Sequence, residues 1–201
     1  MKKAMKKVVA ILLLVAAHAF PLDGHRGKGG LFQLGVGPGF TTYTQELKYP
    51  NKTVDWPREA HVGFANSILV GGGMTETLFI TLFMQMNWLP YTNSFDSHFV
   101  ANSITGIGLL KYFKADVDTV FKPSSYVFTG IGATGWNNPF DNSQSVGFGL
   151  SLGMGYEFVK HFGVQLGGFY SGISPAYIPS YLDDIKINSF GFQLSLVGMA
   201  Y

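Results

Sequence analysis

The chain has 201 residues, of which 26 are glycine and none is cysteine, with 15% aromatic residues, 13% charged residues and a formal net charge of +2. Such glycine-rich, aromatic-rich and charge-poor usage departs from that of ordinary soluble domains. The absence of cysteine excludes a disulfide framework and any thiolate metal centre.

Residues 1–19, MKKAMKKVVAILLLVAAHA, place four lysines before an apolar run and end on Ala17-His18-Ala19. This is the pattern of a secretory signal peptide cut before Phe20. The apolar run of residues 8–17 is about half of the roughly 20 residues that a membrane anchor needs. Cleavage removes Lys2, Lys3, Lys6 and Lys7 and no acid, so the formal charge falls from +2 to −2. That removes any composition argument for a nucleic-acid partner, and none is expected. Residues 20–201 form one domain, and residues 20–29 are a polar, glycine-rich lead-in.

Period-two alternation then recurs along the chain. The first strand is expected at 30–43, with Phe32, Leu34, Val36, Pro38 and Phe40 opposed to Gln33, Gly35, Gly37, Gly39 and Thr41. Pro38 cannot donate to a ladder, so distortion is expected there. Residues 44–59, TQELKYPNKTVDWPRE, gather charge and two prolines and read as a long loop. A second strand follows at 60–72, with Asn66 as an exception on its apolar face. After a tight connection at 72–76, the third runs over 77–88, its Leu78, Ile80, Leu82, Met84, Met86 and Trp88 opposed to Phe79, Thr81, Phe83, Gln85 and Asn87. This segment resembles an aggregation-prone strand and implies a chaperone before membrane insertion.

The fourth strand, 98–110, alternates too weakly to assign its faces. A charged connection at 111–124 leads to the fifth strand at 125–136. The sixth, 146–158, has the sharpest contrast: Val146, Phe148, Leu150, Leu152, Met154, Tyr156 and Phe158 face one way, while Gly147, Gly149, Ser151, Gly153, Gly155 and Glu157 face the other. A soluble sheet would carry charge on its outward face. Bulky apolar residues toward lipid and small polar ones toward a narrow lumen are instead the mark of a transmembrane barrel. A turn at Lys160-His161, a seventh strand at 162–171 and an eighth at 190–201 complete an all-β, eight-stranded antiparallel up-and-down barrel.

Alternation of short and long connections assigns orientation, because such barrels keep short turns in the periplasm. The segments 44–59, 89–96, 137–144 and 173–188 are then extracellular. Trp56, Trp88 and Trp136 fall at the outer rim, and Tyr112, Phe113, Phe121, Tyr156, Phe158 and Tyr201 form the inner aromatic girdle. Gln33, Gly35, Gly37, Phe79, Phe83, Gln85, Ser151, Glu157 and Gln165 line the lumen. Nearly all charged residues sit in connections, Glu157 being the one well inside a strand.

The signal peptide, the eight alternating strands and the C-terminal aromatic residue together resemble the small Gram-negative outer-membrane barrels of the OmpX, OmpW and OmpA transmembrane-domain type. The resemblance implies a bacterial outer-membrane location, contact with lipid and lipopolysaccharide, passage through periplasmic chaperones and the barrel insertion machinery, and a monomer. It implies no cofactor. The last segment, SFGFQLSLVGMAY, looks like the signal that this machinery reads, with Tyr201 where the family usually has Phe. The apolar phase of Phe190, Phe192, Leu194 and Leu196 is opposite to that of Val197, Met199 and Tyr201. A bulge at residues 196–198 is expected to reconcile the two phases.

Sites of chemistry are sparse. The glycine runs Gly35-Val36-Gly37-Pro38-Gly39 and Gly71-Gly72-Gly73 lie in strands with no following helix, unlike a phosphate-binding loop. In a small barrel, such glycines make room for bulky interior neighbours. A lipid A-modifying enzyme would need a nucleophile and base near the outer rim. Asp96, Ser97, His98 and His61 are the residues at hand, and no catalytic set is assigned from them. His25, His61, His98 and His161 share no ligand spacing, so no metal site is assigned. Two functions remain: a scaffold whose extracellular loops, through Tyr49, Trp56, Tyr177 and Tyr181, bind a surface ligand, and a narrow channel whose lumen Phe79, Phe83 and Phe128 either fill or line.

Overall fold

The computed structural model describes residues 29–92, 97–115, 120–137, 144–175 and 180–201; the expected signal peptide lies outside these. Eight strands follow one another in the order β1 (Gly30–Tyr49), β2 (Lys52–Gly73), β3 (Leu78–Thr92), β4 (Ser97–Tyr112), β5 (Ser124–Asn137), β6 (Gln144–Val159), β7 (Phe162–Pro175) and β8 (Asp184–Ala200). Each pairs antiparallel with its neighbours, and β1 pairs with β8, so the sheet closes. Closure satisfies the edge hydrogen bonds of the wall without water, which is what a bilayer demands.

Alternation decides the two faces. On β6, Leu150, Leu152 and Met154 are exposed outside, whereas Ser151 and Glu157 are buried inside. The same split runs around the wall: Leu34, Leu82, Ile107, Ile131, Leu166 and Leu194 face out, and Gln33, Phe83, Ile104, Phe128, Gln165 and Gln193 face in. The phase of β4 is thereby settled, with Asn102, Ile104, Leu110 and Tyr112 buried and Ile107 and Leu109 exposed. Its sequence pattern is weak because the inward Ile104 and Leu110 are as apolar as their lipid-facing neighbours. On the outer face, Trp88 donates its Nε1–H to Asn66 Oδ1 at 2.7 Å, which accounts for the polar exception on β2.

Several boundaries differ from the sequence expectation. Residues 44–59 are not a loop: β1 and β2 continue to Tyr49 and Lys52, pair across Glu46↔Asp55 and Lys48↔Thr53, and turn at Pro50-Asn51. A hairpin standing in water needs no apolar face if its backbone groups pair with each other, so its polar composition misled. Glu46, Lys48, Lys52, Asp55, Arg58 and Glu59 are consequently strand residues, as are Asp184 and Lys186 of β8. Connection lengths do not alternate as expected either, since the far end holds this tight turn and the end bearing Gly29 and Tyr201 holds the long connection 113–123.

The distortion expected at Pro38 is confined to the β8 side, where the ladder skips Gly37 and Pro38 between Val36↔Leu196 and Gly39↔Gln193. The β1–β2 register is the same on both sides of Pro38↔Phe64 and shifts between Tyr43 and Gln45 instead, where β2 carries Pro57. Proline fits a bulge because no ladder bond is asked of it there. The expected bulge at 196–198 is absent: β8 keeps one register with β1 from Leu196 to Ala200 and with β7 from Leu196 to Gly198. Val197, Met199 and Tyr201 simply point into the lumen, where all three are buried. A second bulge on β6, between Glu157 and Val159, leaves Phe158 and Val159 both exposed beside the buried Glu157.

Candidate functional site

The candidate site comprises the lumen and its mouth at the hairpin end. The inward row at the terminal end is built from large side chains. Phe79 meets Tyr112 edge-on at 6.0 Å, Tyr112 lies 5.2 Å from Tyr126, and Phe83 meets Phe128 edge-on at 4.9 Å. Their seats are glycines on neighbouring strands. A Cβ at Gly130 would run into the Phe83 ring, one at Gly155 into Tyr126, one at Gly108 into Phe128 and one at Gly191 into Phe169. At these four positions the space a glycine leaves is taken by an aromatic ring from a nearby strand.

Polar side chains bridge the lumen at other heights. Gln33 Nε2 donates to Gln165 Oε1 at 2.6 Å, and Tyr126 OH donates to the same oxygen at 3.1 Å. Ser151 Oγ donates to Gln85 Oε1 at 2.6 Å. Asn87 Nδ2 reaches from β3 to Thr41 Oγ1 at 3.0 Å and to the Phe192 carbonyl at 3.3 Å. Higher still, Asn102 Nδ2 donates to Ser189 Oγ at 3.1 Å, joining β4 to β8 on the opposite wall. Both amide atoms of Gln193, together with Gln85 Nε2 and Gln165 Nε2, have no protein partner, so this wall keeps hydrogen-bonding capacity for enclosed water.

At the bottom of the lumen the chain's end is tied to the wall. Glu157 Oε1 accepts from Tyr201 OH at 2.6 Å and from the His161 backbone N–H at 2.9 Å. Tyr112 OH also points at Met199 Sδ, 3.2 Å away on β8.

At the mouth, Tyr43 of β1 packs edge-on against Trp136 of β5 with ring centroids 4.9 Å apart, a contact that spans the barrel. Tyr43 OH donates to Glu59 Oε2 at 2.5 Å, His61 Nε2 lies 3.4 Å from the same oxygen, and the His61 ring stacks on Tyr43. Tyr43 and Glu59 escaped sequence reasoning, Glu59 because it fell inside the supposed loop 44–59. The signal was present: the inward series Gly35, Gly37, Gly39, Thr41 continues in step to Tyr43.

The residues expected at the aromatic rims separate into two kinds. Trp88 faces outward and stacks on Phe64 at 6.1 Å. Trp56 is 51% exposed on the hairpin, on β2 rather than in a loop, and Trp136 turns into the mouth. Phe113, Tyr156 and Phe158 are exposed at the terminal end, and Phe121 is half-buried there. Tyr112 and Tyr201, expected to face lipid in the inner girdle, are buried in the lumen at 0% and 2% exposure. The reason is parity: both continue the inward series of their strands. Gln33, Gly35, Gly37, Phe79, Phe83, Gln85, Ser151, Glu157 and Gln165 all lie on the inward face.

Asp96 and Tyr177 lie outside the described residues, and Ser97 and His98 are described only as β4 backbone paired with Thr92 and Tyr91. Among the described residues no three His, Asp or Glu side chains gather as a metal site would require.

No family model matches the sequence, and no curated protein matches it. Solved structures do. The outer membrane protein OprG from Pseudomonas aeruginosa superposes with a TM-score of 0.50 at 11% identity, covering 88% of this chain and 98% of that one. The outer membrane protein AlkL gives 0.44 at 11% identity over 87% and 91%, and the Escherichia coli outer membrane protease OmpT 0.43 at 9% over 90% and 97%. The fold is that of the small eight-stranded outer-membrane barrels.

Proposed function

We propose that the mature chain, residues 20–201 after loss of the signal peptide 1–19, is a monomeric, non-conducting barrel of the bacterial outer membrane that works as a surface-interaction scaffold. The observation that carries this reading is the interlocked lumen, crossed at successive heights by Phe83 against Phe128, Ser151 to Gln85, Asn102 to Ser189 and Tyr43 against Trp136. The outward belt of Leu, Ile, Val, Met and Phe supports the membrane location, because so large an exposed apolar surface has no stable place in water.

The β1–β2 hairpin is the presenting element. Above Phe64↔Trp88, β2 has no partner in β3, so the hairpin rises beyond the wall with support from β8 alone, through Lys48↔Asp184 and Glu46↔Lys186. It carries Trp56, Tyr49, Lys52 and Arg58, and the exposed Tyr181 stands beside it before β8. Such a mixed aromatic and charged surface suits lipopolysaccharide sugars and phosphates or a protein ligand. The apolar run of β3 supports a need for periplasmic chaperones before insertion.

Fold does not by itself make the chain inert. We assign it no enzymatic role. Cells expressing the chain are expected to show unchanged lipid A, as are cells expressing His61→Ala or His98→Ala.

The experiment that tests the proposal is single-channel recording on refolded residues 20–201 in a planar bilayer, after a heat-dependent gel shift has established folding. The expected result is silence. Discrete conductance steps from folded protein would overturn the scaffold reading in favour of a conduit.

A further inference from the structure

The lipid-facing belt is not uniform. One row of residues in register around the wall runs Ile80, Leu109, Thr129, Leu152, Gly168 and Phe192. Thr129 and Gly168 are its two small members, and they flank Leu152 on either side. A groove of about 850 Å³ opens at this place on the outer surface, walled by Leu109, Val127, Leu152, Met154, Leu166 and Tyr170. That volume lies within the range of ligand pockets, roughly 300–1,000 Å³.

One cation reaches the groove. Lys111 lines it at the terminal end, one position before the last residue of β4, between Leu78 and Val127. Its exposed ammonium is held by Thr77 Oγ1 at 2.7 Å. In register Lys111 shares a row with Val127, Met154 and Leu166, and Gly168 follows Leu166 by two residues along β7.

We propose that this groove is a binding site for one glycerophospholipid of the periplasmic leaflet, with an acyl chain seated over Thr129 and Gly168 and the anionic headgroup phosphate at Lys111. The proposal rests on the reading above of the β1–β2 hairpin as the surface-presenting element, which puts the opposite, terminal end at the periplasmic face. The neighbouring dent, at Ile80, Ile107 and Ile131, is smaller, about 250 Å³, and no cation lines it. In the larger groove a chain fills a dent that would otherwise lose van der Waals contacts, and the ammonium meets the phosphate where water is scarce.

The test uses the refolded mature chain in detergent, freed of lipid and titrated with 1-palmitoyl-2-oleoyl-phosphatidylglycerol under native mass spectrometry. One adduct is expected to saturate well before any other. Gly168→Leu and Thr129→Leu each fill the groove and should raise its midpoint at least tenfold. The Cβ added at Gly168 meets only the yielding Phe192 ring and a carbonyl at van der Waals range, 3.3 and 3.4 Å, and Thr129→Leu disturbs no glycine. Lys111→Gln should weaken phosphatidylglycerol about fivefold while leaving uncharged diacylglycerol unaffected. A statistical ladder of adducts, the same in wild type and filled variants, would overturn the inference while a heat-dependent gel shift still upholds the barrel. Failure of the wild type to give that shift would overturn the membrane reading and this site together.

Discussion

Glu157 shows how one residue ties the end of the chain to the barrel wall. Its Oε1 collects Tyr201 OH and the His161 N–H, so the last residue of the chain is anchored to the turn between β6 and β7. Tyr201→Phe removes the hydroxyl and should lower stability by about 1–3 kcal/mol, read from urea unfolding in lipid vesicles. A second residue-scale case is Gly130, where any Cβ enters the space of the Phe83 ring. Gly130→Ala should cost about 1–3 kcal/mol through overpacking, and adding Phe83→Leu should recover part of it. Equal losses in the single and double variants would mean that ring and glycine are not coupled. That glycines lie inward was legible in strict period two; which ring each one receives was not, because the donors stand on other strands.

At the scale of elements, the β1–β2 hairpin is separable from the wall. Pairing from Gly30 to Tyr43 with Glu59 to Gly72 is continuous below the bulge, and the segment above it is backed on one side only, by β8 through pairs such as Leu47↔Ile185. Replacing residues 46–55 by a short turn should therefore leave the heat-dependent gel shift intact and change stability by no more than about 1 kcal/mol, while removing the proposed recognition surface. The hairpin was hidden in the sequence because Leu47 and Val54 make no apolar stripe among its charged residues, and charge with proline reads as loop. The end of β8 misled in the opposite sense. Val197, Met199 and Tyr201 read as a change of phase because apolar side chains were assumed to face lipid, yet alternation continues unbroken and carries them into the lumen. An apolar residue near a barrel's end has two apolar places to go, and only the count along the strand distinguishes them.

At the scale of the molecule, two solvents act on one wall. Leu152 is 66% exposed in the middle of the belt, and Leu152→Arg should destabilise the barrel in vesicles by about 2–4 kcal/mol if that belt meets the bilayer midplane. A loss near zero would move this residue out of the hydrocarbon. Eight strands, their inward and outward faces and the barrel class were readable from the sequence alone, since a two-residue period with a sharp contrast between faces is a local property repeated along the chain. The contacts inside the lumen were not. Whether Phe83, Phe128 and Trp136 fill the interior or line it depends on which rings and amides meet across the barrel, and those pairs are separated by dozens of residues in sequence. The height of the hairpin, the inward turn of Tyr112 and Tyr201 and the groove at Gly168 likewise follow from strand register, which only the closed sheet decides because each strand's neighbours must agree on it at once.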